Sequence, residues 1–186
     1  MKALTHSFKV LELCCGFGSW SDALAELGCK CTGVDIRDLG YKHRFIKQDV
    51  YDFEPDEDYD IVIASPPCTE FSIAKYYAYG TQKEHEGLDI VQRVQYLIGK
   101  IKPKYWLMEN VRHLSDFIGP PHDIVRYGRR KGYKEAYLWG NFPKLPMLDS
   151  QIQYRSDNFG NSDPRRALIP KPLAKAVARV MINGHT

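Results

Sequence analysis

The sequence predicts an α/β fold, a mostly parallel sheet with helices on both faces. Three observations predict it. Short apolar runs of strand length alternate with segments of helical period. Each strand-like run ends in a turn that carries glycine, proline or a carboxylate. No repeat, low-complexity tract or linker interrupts the 186 residues, a length that supports one domain with its own core.

The elements follow in order. "FKVLEL" (8–13) is a short apolar run that ends at a glycine-containing turn, the pattern of a buried strand. "SWSDALAELG" (19–28) predicts a helix, capped by Ser19 or Ser21 and stopped at Gly28. "CKCTGVDI" (29–36) reads as the second strand, "RFIKQDV" (44–50) as a weaker third and "DIVIAS" (60–65) as the clearest fourth. Over 88–101, Ile90, Val94, Leu97, Ile98 and Ile101 recur at helical spacing. "KYWLMENV" (104–111) predicts a fifth strand. A helix is expected across 122–131 and a strand at "KEAYLW" (134–139). "KPLAKAVARVMI" (171–182) predicts a closing amphipathic helix.

Composition narrows the function classes. No apolar run reaches the ~18–20 residues of a membrane span, and "MKALTHSFKV" lacks a signal-peptide core. Five cysteines, an odd number, fit a reducing compartment, so a cytoplasmic protein is expected. Residues 1–120 carry 14 Lys and Arg against 18 Asp and Glu, whereas residues 121–186 carry 12 against 5. A basic C-terminal third suits a polyanion such as nucleic acid, although a solvated basic face has the same composition. Cys14, Cys15, Cys29 and Cys31 lack the C-x₂₋₄-C spacing of structural zinc, and the six histidines form no ligand pair, so no metal is expected.

In a parallel sheet, ligands bind at the carboxyl ends of the strands, so the turns there hold the candidates. After the first strand, "ELCCGFGSW" places Gly16 and Gly18 for a tight turn with close backbone approach, and a helix starting near Ser19 offers free N–H groups. It is neither a G-x-G-x-x-G turn nor a P-loop. After the second strand, Asp35 in "GVDI" can bind a ribose diol. After the third, Asp49 can accept from an adenine amino group. Taken together they describe a site for a nucleoside-type ligand. After the fourth, Pro66 and Pro67 stiffen the turn and give Cys68 a set direction, so its thiol is a candidate nucleophile. After the fifth comes Glu109–Asn110–Val111, and if the fourth and fifth strands are neighbours Glu109 faces the same pocket as Cys68.

These residues resemble the cytosine-5 methyltransferases that use S-adenosylmethionine. "ELCCGFGS", "VDI", "QDV", "PPCTEFS" and "ENV" look like that family's motifs in the family's order, well matched over 8–111 and loosely over 151–182. The resemblance implies a Rossmann-like methyltransferase fold and a cysteine that adds to carbon 6 of cytosine so that carbon 5 can take the methyl. It implies Cys68 as nucleophile and Glu109 as the group that holds and protonates ring N3. It sets Cys14, Gly16, Phe17, Gly18, Ser19, Asp35, Ile36, Asp49, Val50 and Pro67 around the cofactor, and Ser72, Asn110 and Gln151 beside the substrate. In "QIQYR" (151–155) Gln151 and Arg155 match the family's Q-x-R-x-R, with Arg155 as the contact to cytosine O2 or phosphate, and Gln153 replaces the first Arg. "RRALIP" looks like the late Arg-x-Leu-x-Pro motif.

The departures matter as much. Cys14 stands where the family has an aromatic beside the adenine. Only Ser156 to Arg165 occupy the place of a large target-recognition domain, so a single catalytic domain over 1–186 is expected, similar to compact phage-encoded methylases. Recognition is then short, supplied by a partner protein, or directed at something other than duplex DNA. For duplex DNA the base must leave the stack. The segment 73–87, with Lys75, Lys83 and three tyrosines, suits a loop that closes over the base, and "RYGRRKGYK" (126–134) suits backbone tracking. Three rivals stand beside this reading. They are an exocyclic-amine methyltransferase, a cytosine-5 enzyme acting on RNA, and a degenerate binder. Cys68 with Glu109 argues against the first.

Overall fold

The computed structural model describes residues 7–71, 84–127, 134–146 and 168–184. Among the described residues seven strands form one sheet: β1 (Lys9–Leu13), β2 (Lys30–Asp35), β3 (Arg44–Lys47), β4 (Ile61–Ala64), β5 (Tyr105–Asn110), β6 (Asp123–Tyr127) and β7 (Lys134–Asn141). The helices are α1 (Ser19–Ala25), α2 (Glu84–Ile101), the one-turn α3 (Ser115–Ile118) and α4 (Lys171–Asn183). Strand order is β3-β2-β1-β4-β5-β7-β6. β1 to β5 pair in parallel, and β7 runs antiparallel to both β5 and β6. The expected α/β architecture is what the chain adopts.

Period-two alternation explains why the sheet takes helices on both faces. Val10, Ile61, Ile63, Leu107, Ala136 and Leu138 point to one side, where they pack with Trp20 and Leu24 of α1 and Leu173 and Val177 of α4. Leu11, Leu13, Val62, Ala64, Met108 and Trp139 point to the other, against Val91, Val94 and Leu97 of α2. The apolar positions of 88–101 that set the helical period are those that α2 turns toward the sheet.

Two expectations change. Residues 123–127 form a strand, not part of a helix. Val125 and Tyr127 are buried while Arg126 and Ile124 are exposed, so the pattern has period two, and β6 lies antiparallel on β7. The cap of α1 is not Ser19 or Ser21 but Gly18, in the left-handed region at φ 78°, with no side-chain cap bond. Ser21 is buried and employed elsewhere, its Oγ accepting the Tyr41 hydroxyl at 2.6 Å.

That buried Tyr41 ring makes Gly33 of β2 a tight position. A Cβ there would lie 2.5 Å from Tyr41 Cζ and 2.8 Å from Cys15 Sγ. Gly33→Ala is expected to cost about 1–3 kcal/mol through overpacking, read as a lower denaturation midpoint at unchanged slope.

Candidate functional site

The carboxyl ends of β1 to β5 and the turns that follow them enclose a cleft of about 530 Å³. Its wall includes Cys14, Gly16, Phe17, Ser19, Asp35, Ile36, Asp49, Val50, Pro67, Cys68 and Glu109. The structure thus brings together residues as far apart in sequence as Cys14 and Glu109. Two candidates stand behind the wall. Gly18 forms the cap of α1, and a Cβ on it would lie 2.7 Å from the Tyr41 ring. Asn110 is 1 % exposed, its Oδ1 accepting Val111 N–H and its Nδ2 donating to Pro66 O at 3.1 Å. Its side chain fastens the proline turn rather than lining the cleft. Ser72, Gln151 and Arg155 lie outside the described residues, as do the segments 72–83 and 128–133.

At one end of the cleft two carboxylates gather beside a glycine turn. The Asp35 carboxylate bridges the turns after β1 and β2: Oδ2 accepts Gly16 N–H at 2.9 Å and Oδ1 accepts Arg37 N–H at 3.0 Å. Asp49 Oδ1 accepts Tyr51 N–H at 3.0 Å. An ionised carboxylate offers about four acceptor positions, so each keeps capacity for a ligand. Gly16 takes φ 51°, and a Cβ on it would meet no atom within 4 Å, which leaves the backbone bare on the cleft wall. Arg93 of α2 fixes the turn after β3, donating from Nε to Val50 O at 3.1 Å and from Nη2 to Phe53 O at 2.7 Å. Two carboxylates, a bare glycine backbone and the apolar surfaces of Phe17, Ile36, Val50 and Ile90 fit the chemistry of S-adenosylmethionine, which carries a diol, an aromatic amine and a cation.

At the other end stand Cys68 and Glu109. β4 and β5 are adjacent and parallel, so the turn after Ala64 and the last residues of β5 meet at the same edge. Burial pushes the Glu109 carboxyl up to about 7, and the Lys134 charge acts against that rise. Cys68 is partly buried; desolvation and then the Glu109 charge hold its thiol above the usual value, while Lys134 pulls it down. The two groups therefore sense one another. Cys14 is pushed up to about 12 by burial, and Cys29 and Cys31 to about 11 and 12, so none of these is a ready thiolate.

Several wall residues escaped the sequence reading. Glu12 is 1 % exposed in mid-strand, its Oε2 accepts Ser21 N–H at 3.0 Å, and burial raises it to about 7. A carboxylate inside the apolar run "VLEL" was the signal. Tyr51, 45 % exposed, also lines the cleft, as do Leu168 and Ile169. The last two belong to the "RRALIP" segment, whose motif was legible although its contact was not. Among the described residues, no group of three or more His, Cys, Asp or Glu could hold a metal ion, and no helix is long and apolar enough to cross a membrane.

Residues 8–118 match the family described as C-5 cytosine-specific DNA methylase. A Frog virus 3 (isolate Goorha) protein named "Probable DNA (cytosine-5)-methyltransferase" is 32% identical, the match covering 70% of this chain and 69% of the viral protein. Among solved structures, a prophage-encoded E. coli protein assigned as a DNA modification methyltransferase superposes with a TM-score of 0.50 at 16% identity, over 72% of this chain. The chain spans 46% of that protein's length, and the likeness is one of fold.

Proposed function

Since the chain belongs to the C-5 cytosine-specific DNA methylase family, whose methyl donor is S-adenosylmethionine, we propose that it methylates carbon 5 of cytosine in DNA through a covalent bond to Cys68. The observation that carries this reading is the placement of Cys68 and Glu109 on one wall, beside turns that suit a nucleoside. An exocyclic-amine methyltransferase has no use for that pair.

When bound, S-adenosylmethionine supplies an electrophilic methyl group. Asp35 would hold its ribose diol, Asp49 its adenine amine and Glu12 its charged tail. Cys68, as its thiolate, bonds through Sγ to cytosine C6 while Glu109, neutral below about pH 7, gives a proton to ring N3. The C5–C6 double-bond electrons are then available at C5. After methyl transfer a base, water in the simplest case, removes the C5 proton, the S–C6 bond breaks to release the Cys68 thiolate, and the Glu109 carboxylate takes back the N3 proton to restore the ring. Arg155 would contact cytosine O2 or a phosphate, and Ser72 and Gln151 would stand beside the substrate. The base reaches the pocket by leaving the helix stack. Only Ser156 to Arg165 fill the place of a recognition domain, so sequence choice is short or comes from a partner protein.

The test is transfer of tritium from labelled S-adenosylmethionine to cytosine-rich duplex DNA, with an RNA control and nucleoside chromatography. Label in 5-methylcytosine from DNA is expected. Label only in RNA would move the substrate, label on an exocyclic amine would sink the thiol mechanism, and no label on either polymer despite measurable cofactor binding would point to a missing recognition partner or a binding-only role.

A further inference from the structure

The turn that carries Cys68 is tied down at both ends by the stretch that follows Glu109. At its start, Asn110 Nδ2 donates to Pro66 O at 3.1 Å. At its end, His113 Nδ1 donates to Phe71 O, also at 3.1 Å. Between these ties the prolines fix φ on one side of the cysteine, and a single 3₁₀ turn, Thr69–Phe71, follows on the other. Phe71 N–H closes back on Cys68 O at 3.1 Å. Asn110 and His113 lie one and four residues after Glu109, His113 on the 3₁₀ turn Arg112–Leu114.

We propose that His113 is a positioning residue for the reaction, and that its hydrogen bond to Phe71 O sets the orientation of the Cys68 thiol against Glu109. The inference rests on the reading of Cys68 as the nucleophile. The reason is geometric. The Phe71 side chain is already anchored, with Phe71 2 % exposed and its ring centroid 5.8 Å from that of Phe117. Removing the imidazole therefore leaves the segment packed. What it frees is the Phe71 peptide, and through the Phe71–Cys68 bond the backbone that aims the sulfur. The prolines restrain the entry to the turn, and the His113 bond adds a restraint at its exit. A nucleophile displaced by about 1 Å can cost on the order of 100-fold in rate.

The isosteres supply the test. Asn places an amide N–H close to the position of histidine Nδ1, whereas Gln reaches toward Nε2. In the full-length chain, His113→Ala and His113→Gln are expected to lower kcat roughly 10- to 100-fold and to slow Cys68 adduct formation on DNA containing 5-fluorocytosine. His113→Asn is expected to restore most of both. Affinity for S-adenosylmethionine, measured by calorimetry, should stay at the parent value throughout. A merely structural histidine would not produce that split, nor discriminate Asn from Gln. The inference is overturned if His113→Ala traps DNA at the parent rate, if Asn is no better than Gln, or if the loss appears equally in cofactor affinity. A parent chain that forms no Cys68 adduct overturns the nucleophile reading itself, and this inference with it.

Discussion

Cys68→Ser is expected to abolish methyl transfer while leaving the cofactor end of the cleft intact. The thiol contributes what a hydroxyl cannot. Even with its pKa raised by burial it ionises far more readily than a hydroxyl, adds to an electron-poor double bond and leaves again. A serine in the same turn keeps the shape but is essentially un-ionised. Turnover should fall by at least ~10³-fold, as when a covalent catalyst is removed from an otherwise assembled site. Most of the groups that would hold S-adenosylmethionine are carried by β1 and the turns after β1, β2 and β3, so its affinity should be unchanged by calorimetry. The measurements are label transfer and denaturing-gel trapping on 5-fluorocytosine DNA. A Cys68→Ser chain that still labels carbon 5 would exclude the covalent route. The other four cysteines offer no substitute, since Cys15, Cys29 and Cys31 are buried and burial raises Cys14 to about 12.

The sheet was legible because each parallel strand is a short apolar run with a marked exit. β4 is the simplest case: "IVIA" is buried on both faces, and two prolines forbid its continuation. The 122–131 segment misled because Ile124, Val125 and Tyr127 satisfy either period over so short a window, and the antiparallel partner that settles it, β7, lies later in the chain. The turns that line the cleft were legible as a series, carboxylate after carboxylate in strand order. Asn110 was not. Its type suited a substrate contact, and only the fold shows that its amide is used on Pro66 O. Glu12 was missed because a single acidic residue inside an apolar run carries no spacing that relates it to anything else. Its neighbour Ser21 is brought to it by the start of α1. His113 had no sequence signal, since the carbonyl it holds is 42 residues away in the chain.

Glu109→Gln should separate stability from activity. The parent carboxyl, raised to about 7 by burial, is neutral in the fold at pH values where an unfolded chain has ionised it. The folded pKa lies above the ordinary 4.5, so the native state binds the extra proton between the two. The stability this contributes is full below about 4.5, declines as pH rises, and is gone above about 7. Gln carries no such proton. The variant should therefore gain stability relative to the parent as pH rises from 5 to 8, read by denaturant midpoints at each pH. Some pH dependence will survive in Glu109→Gln, because Glu12 is raised by burial in the same direction. Catalysis should move the opposite way. Gln can still hold ring N3 through its N–H but has no acid proton to deliver, so kcat should fall by about 10²- to 10⁴-fold. One further consequence distinguishes the proton from the shape. The Glu109 charge holds the Cys68 thiol up, so its removal should increase the thiolate fraction and speed alkylation of Cys68 by iodoacetamide at pH 8. A variant that is slower in methyl transfer but faster in alkylation has lost the acid and kept the nucleophile. If alkylation slows as well, Glu109 acts on Cys68 through packing, and its part as proton donor loses its support.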